Sequence, residues 1–188
     1  MTTAAASSAR RLSDRTSHCG LTLVELMSAV CIGLVLLGQA VPSLRALRQD
    51  QLLRSVADTV NADVHFARSA ALANDRNVRL AVQALPGGGS CTMVHTGAAN
   101  ACECTGGGLA RCDAGAQLLR LSEQPSAGGA ALTTVDKSLI FDASKGTITP
   151  TATLVVADRD GRSVRQIINI MGRVRACSPT GAAGFSRC

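Results

Sequence analysis

An apolar run at 21–44, LTLVELMSAVCIGLVLLGQAVPSL, constrains this chain more than any other feature, because its only charge is Glu25. A helix of that length rises roughly 36 Å at about 1.5 Å per residue, enough for a hydrocarbon core of about 30 Å. The segment before it carries Arg10, Arg11 and Arg15, which favours a cytoplasmic N-terminus and an exported remainder. A cleaved secretory signal is the rival reading. It needs small residues around a cleavage site after the run, and GQAVPS at 38–43 is a poor match. A carboxylate at Glu25 is also costly inside an apolar span unless a cation pairs with it.

The helix is expected to continue. Over 45–73, Leu53, Val56, Val60, Val64, Ala67 and Ala71 recur at three- and four-residue steps, which makes one apolar stripe. Arg, Asp and Gln are expected on the other faces. Pro42 should kink the helix rather than end it, and Asn74-Asp75 is the expected stop. As one rod, residues 21–73 would be about 80 Å long. Beyond it the period changes to two. Strands are predicted over Val78–Gln83, Ser90–His95, Gln117–Leu121, Ser138–Phe141, Thr153–Ala157 and Val164–Ile170, with a DRDG turn at 158–161. Residues 97–115 read as a cysteine-stapled loop and 125–131 as a linker loop. Helix first and strands after predicts an α+β fold, a long N-terminal helix packed on an antiparallel β-rich globule. The segments are 21–44 as a transmembrane helix, 45–75 as its amphipathic half and 76–188 as the globule.

Cysteine and charge are both unevenly placed. Cys19 and Cys31 lie before and inside the apolar run, and six others follow it: Cys91, Cys102, Cys104, Cys112, Cys177 and Cys188. An even number in an exported segment fits disulfides. Proximity favours Cys177–Cys188, with the other four pairing among themselves. Residues 1–20 are net +2, residues 21–157 carry ten basic and ten acidic residues, and residues 158–188 carry six Arg against two Asp. The excess of the exported part therefore lies in its last 31 residues, at Arg159, Arg162, Arg165, Arg173, Arg175 and Arg187. Arginine suits bidentate phosphate contact.

Residues 20–25 read GLTLVE and lead directly into the apolar run. This resembles the class III signal of type IV prepilins and type II secretion pseudopilins. The resemblance implies a leader over 1–20, cut after Gly20 by a prepilin peptidase, and N-methylation of Leu21. It also implies that Glu25 meets the N-terminal amine of a neighbouring subunit during assembly. Leu21 stands where the family usually has Phe. Residues 138–177, which include the Phe141-Asp142 to Pro150 phrase and end in Gly172-Arg173-Val174-Arg175-Ala176-Cys177, resemble the GspH/FimT group of minor pilins and pseudopilins. That implies a β-sandwich-like globule. In FimT-type members the GRxR motif is associated with DNA binding for uptake in natural transformation.

The resemblance assigns Gly172, Arg173 and Arg175 to double-stranded DNA. Arg165 and Arg187 join them by charge, and Arg159 and Arg162 would widen the patch if the DRDG turn lies near. Contacts of this kind read phosphate rather than sequence. The competing reading is a solvated basic edge strand that blocks aggregation.

Other chemistry finds little purchase. The absence of Trp and Tyr and the presence of only three Phe argue against a base-stacking platform for single strands. Cys91, His95, Cys102, Cys104 and Cys112 lack the paired spacing of a zinc site. No catalytic constellation or phosphate loop stands out, so no enzyme, metal or cofactor is expected. The expected partners are other major and minor pilins through the N-terminal helix, the peptidase, DNA, and the bacterial inner membrane before assembly into a pilus or pseudopilus. The alternatives are a structural minor pilin for pilus initiation and a secretion pseudopilin that binds no DNA.

Overall fold

The structure is a computed structural model that describes residues 20, 22–134 and 137–188, apart from the side chains of 39–43 and 45. The expected leader other than Gly20, and the methylation residue Leu21, lie outside the described residues. Helix α1 (Leu23–Asn74) opens where Thr22 Oγ1 accepts a hydrogen bond from the Glu25 amide at 3.3 Å. A Thr three residues before a Glu is a common helix-start pattern. The helix closes at Asn74, with Asp75 left-handed at φ 48°, as the Asn-Asp stop predicts. Helical geometry continues through Pro42.

By compactness the chain divides into residues 1–42 and 43–188. In the first unit Leu23, Val24, Leu26, Met27, Val30, Ile32 and Leu34 to Leu37 are all more than half exposed. Such a surface leaves apolar side chains in water on every face of the helix. Among the described residues, no helix is long and apolar enough to cross a membrane.

The second unit contains eleven strands after the helix: β1 (Val78–Ala84), β2 (Gly89–Thr96), β3 (Cys102–Gly106), β4 (Leu109–Cys112), β5 (Leu118–Pro125), β6 (Ala130–Leu132), β7 (Lys137–Phe141), β8 (Ile148–Thr149), β9 (Ala152–Asp158), β10 (Ser163–Ile168) and β11 (Val174–Cys177). They form a five-stranded sheet in the order β5-β2-β1-β7-β8, a four-stranded sheet in the order β11-β10-β9-β6, and the separate hairpin β3-β4. All pairings are antiparallel. The α+β architecture, a β globule after an N-terminal helix, is as the sequence predicts.

One core joins the helix to both sheets. Leu53, Ala57, Val60, Val64, Ala67 and Ala71 pack with Leu80, Val94, Leu139, Phe141, Leu154, Val156, Val164 and Ile168. Burying a side chain of this size contributes about 1.5–3 kcal/mol. The predicted stripe is nearly right. Val56 is only half-buried, and Ala57 takes the inner position.

Asp63 departs from the expectation that acids face water, because it is fully buried. Its carboxylate accepts from Thr92 Oγ1 (2.8 Å) and Ser122 Oγ (3.2 Å) and pairs with Arg120 Nε (2.8 Å). The Arg120 guanidinium also lies over the Phe66 ring, 5.5 Å from its centroid. This latch ties α1 to β2 and β5. Burial is the largest influence on Asp63 and raises its pKa above 3.8, against the hydrogen bonds and the arginine.

The presumed loop 97–115 holds the β3-β4 hairpin. Disulfides Cys91–Cys104 and Cys102–Cys112 brace it over the outer face of the five-stranded sheet, where Ala81, Leu85 and Met93 form a second cluster. β2 is therefore covered on both faces, and residues 90–96 are buried without alternation. The presumed linker at 125–131 contains the first residues of β6.

Candidate nucleic-acid interface

The C-terminal arginines are positioned by one hairpin, β10-β11. On β10, Val164, Gln166 and Ile168 are buried while Arg165 and Ile167 are exposed. The buried set faces the helix, where Gln166 Nε2 donates to the Ala57 carbonyl. Period-two alternation then sends Arg165 and Ile167 outward. Arg175 pairs directly with Ile167, and Cys177 with Arg165. Arg165, Ile167 and Arg175 thus share the outer face of the sheet.

The turn between the strands has a defined shape. Gly172 N–H donates to the Asn169 carbonyl (2.9 Å), Arg173 N–H to Asn169 Oδ1 (2.8 Å), and Asn169 N–H to the Arg173 carbonyl (3.2 Å). Gly172 has φ +77°, and a Cβ there would meet Arg68 Cδ and Ile148 Cδ1 at 3.2 Å. Glycine is favoured by the left-handed conformation, and a Cβ would also press on these two side chains. The contact brings Arg68 of α1 under the turn that carries Arg173. Spacing alone does not reveal Arg68 as a site residue, since more than a hundred residues separate it from Gly172 in the chain.

Cys177–Cys188 closes the tail, as proximity suggests. Ser178 bridges Arg187 in parallel, and its amide donates to the Ser186 carbonyl at 2.8 Å. Arg187 is held in this way beside the end of β11. From the turn to the tail the order is Arg173, Arg175, the position opposite Arg165, and Arg187. At about 3.3 Å per residue, Arg173 to Cys177 covers roughly 13 Å. All four arginines are exposed, and among the described residues none of their side chains makes an ion pair or hydrogen bond.

Arg162 does not extend this row. It pairs with Asp158 (2.8 Å) and Asp50 and donates to Gln49 Oε1. Arg159 donates to the Ser126 carbonyl at 2.6 Å. The DRDG turn lies at the opposite end of β10 from Gly172, so these two arginines belong to a structural clasp. The physical cause is charge pairing across the chain, which composition by segment cannot display.

The remaining candidate residues are placed apart. Gly20 and Glu25 are exposed in the first unit. Cys91, Cys102, Cys104 and Cys112, weighed as zinc ligands, form the two hairpin disulfides. His95 is buried, with Nδ1 3.0 Å from the Thr96 carbonyl oxygen. A hollow of about 610 Å³ beyond the end of α1 mixes Asp75, Arg76, Arg79 and Asp142. Asp142 is held below 3.8 chiefly by the Ser144 hydroxyl and then by the Lys145 amide, so its carboxylate is committed to its own turn.

A helix uncovered over its apolar first half, followed by a β globule built on its second half, has the build of a pilin-like subunit. The family model described as "Type II transport protein GspH" matches residues 56–172, more than half of the chain. The chain belongs to the GspH family of minor pilins and pseudopilins. No curated protein and no solved structure matches it. The matched residues end at Gly172, so Arg173, Arg175 and Arg187 lie beyond them.

Proposed function

We propose that this protein is a minor type IV pilin of the FimT kind, which joins a pilus and holds double-stranded DNA non-specifically for uptake. The observation that carries the reading is the row of four exposed arginines along β10-β11 and the disulfide-closed tail, unpaired among the described residues. Among the described residues no carboxylate forms an ion pair with any of the four, so their charge can meet phosphates. A fixed strand sets the spacing of the guanidinium forks in advance. That lowers the ordering cost of each contact.

The N-terminal half supports the assembly part. Leu23 to Leu37 leave an apolar surface that a bilayer, and then neighbouring helices, would cover. Residues 21–44 anchor the protein in the inner membrane with the globule in the periplasm. Peptidase cleavage after Gly20 frees the amine of Leu21, and Glu25 pairs with the amine of the next subunit. An apolar environment makes such a pair strongly preferred to an unpaired carboxylate.

The test is anisotropy of a labelled duplex of about 30 base pairs, titrated with the full chain in detergent micelles at two salt concentrations. Salt-sensitive binding that Arg173→Ala/Arg175→Ala abolishes is expected. Absence of binding at low salt by a folded protein contradicts the reading. It would leave the second one, a pseudopilin of a type II secretion system, which the description of the matched family favours.

A further inference from the structure

The β10-β11 turn carries a feature that phosphate binding does not use. Ile170 and Met171 stand at its tip, 53% and 56% exposed, and Ile167, 42% exposed, continues the apolar strip down to Arg175. Single exposed apolar side chains are ordinary. Three on one hairpin, with Arg173 after the tip and Arg175 opposite Ile167, form a local apolar patch beside cations. The tip is also braced. Asn169 and Gly172 close it, and the Ile170 carbonyl accepts from the Ile148 amide at 2.8 Å. Two large apolar side chains are thus exposed on a hydrogen-bonded turn that is fixed to β8.

We infer that Ile170 and Met171 form an apolar wedge that enters the minor groove and partly unstacks one base step, while the arginine row holds the adjoining phosphates. The inference rests on the DNA-binding reading above and deepens it. Ile and Met are among the side chains that proteins insert between base steps, and such insertion kinks the duplex by roughly 20–90°. The geometry favours a duplex over a lipid surface. The cations extend away from the tip, with Arg173 in the turn, Arg175 on β11 and Arg187 on the disulfide-closed tail, as a track of backbone phosphates requires. A lipid surface would instead call for cations ringed about the tip. Unstacking is cheapest at flexible steps such as TA and costliest in stiff A-tracts. The wedge therefore adds a preference for deformable DNA to binding that reads no base.

The experiment uses the full chain in micelles with two duplexes, one with a central TA step and one with a central A-tract. Each carries a dye at either end and 2-aminopurine at the centre. The wild-type protein is expected to shorten the dye-to-dye distance and brighten the 2-aminopurine on the TA duplex, and less so on the A-tract. Ile170→Ser/Met171→Ser is expected to retain salt-sensitive binding and lose both signals. Ile170→Leu/Met171→Leu is expected to keep them. Should the serine variant misfold, the wild-type signals on the two duplexes decide the matter alone. Salt-sensitive wild-type binding with both signals at their free-duplex values overturns the wedge and leaves the arginine row standing. No wild-type binding overturns both, and serine-sensitive sedimentation with anionic vesicles would then assign the tip to lipid.

Discussion

Gly172 shapes the hairpin that carries the candidate arginines without adding a side chain of its own. Its left-handed φ turns the chain so that Asn169 caps the hairpin, and its missing Cβ admits Arg68 and Ile148. Gly172→Ala forces an L side chain into that region at about 1–2 kcal/mol and crowds Arg68 and Ile148. Urea unfolding should show a loss of about that size, and weaker duplex binding should accompany it because Arg173 shifts. An unchanged midpoint would mean that the turn relaxes at little cost. The exposure of the motif's two arginines was legible in the sequence because alternation is local. Arg68 was not, since only tertiary packing brings it to the turn. Ile170 and Met171 also stood hidden, because Val164 to Ile170 reads as one strand that in fact ends at Ile168.

Elements are joined here by polar clasps as well as by the core. Arg162 ties the β9-β10 turn to Gln49 and Asp50, and Asp63 ties α1 to the five-stranded sheet. The apolar stripe of α1 announced its packed face through helical periodicity. Asp63 broke the rule that acids sit outside because three partners on other elements satisfy it. The hairpin β3-β4 was missed because its alternation is carried inward by cysteine and alanine and is interrupted by Gly106 to Gly108, and β6 and β8 are too short to carry a pattern. The pH dependence of the Asp63 latch has a definite sign. Its pKa is raised in the fold, so the fold binds its proton more tightly than the unfolded chain does. This group's contribution therefore becomes more favourable as pH falls through the raised value, and it levels off below 3.8. Asp63→Asn removes the titration. Urea unfolding at about pH 7 and about pH 4 should show the wild type gaining on the variant at the lower pH. A constant difference between the two proteins would contradict the raised pKa.

For the whole molecule, the two units carry different signals. Within the first unit the apolar run has Glu25 as its only charge, and most of the second unit's positive excess lies in residues 158–188. The family was readable in the sequence because the Phe141-Asp142 to Pro150 phrase, which lies inside the matched residues, is contiguous. The division of the arginines into a structural clasp and a free row was not, because Asp50 and Ser126 are distant in the chain. The most direct test of that division is the salt dependence of duplex affinity for the full chain, for Arg175→Ala, and for Arg111→Ala as an exposed control on β4. Each phosphate contact contributes a slope of about −0.9 in log K against log salt, so the row predicts roughly −3 to −4 for the wild type. Arg175→Ala should be shallower by about one, and Arg111→Ala should match the wild type. Equal slopes for all three proteins, or a slope near zero, would contradict a DNA-binding row on this hairpin.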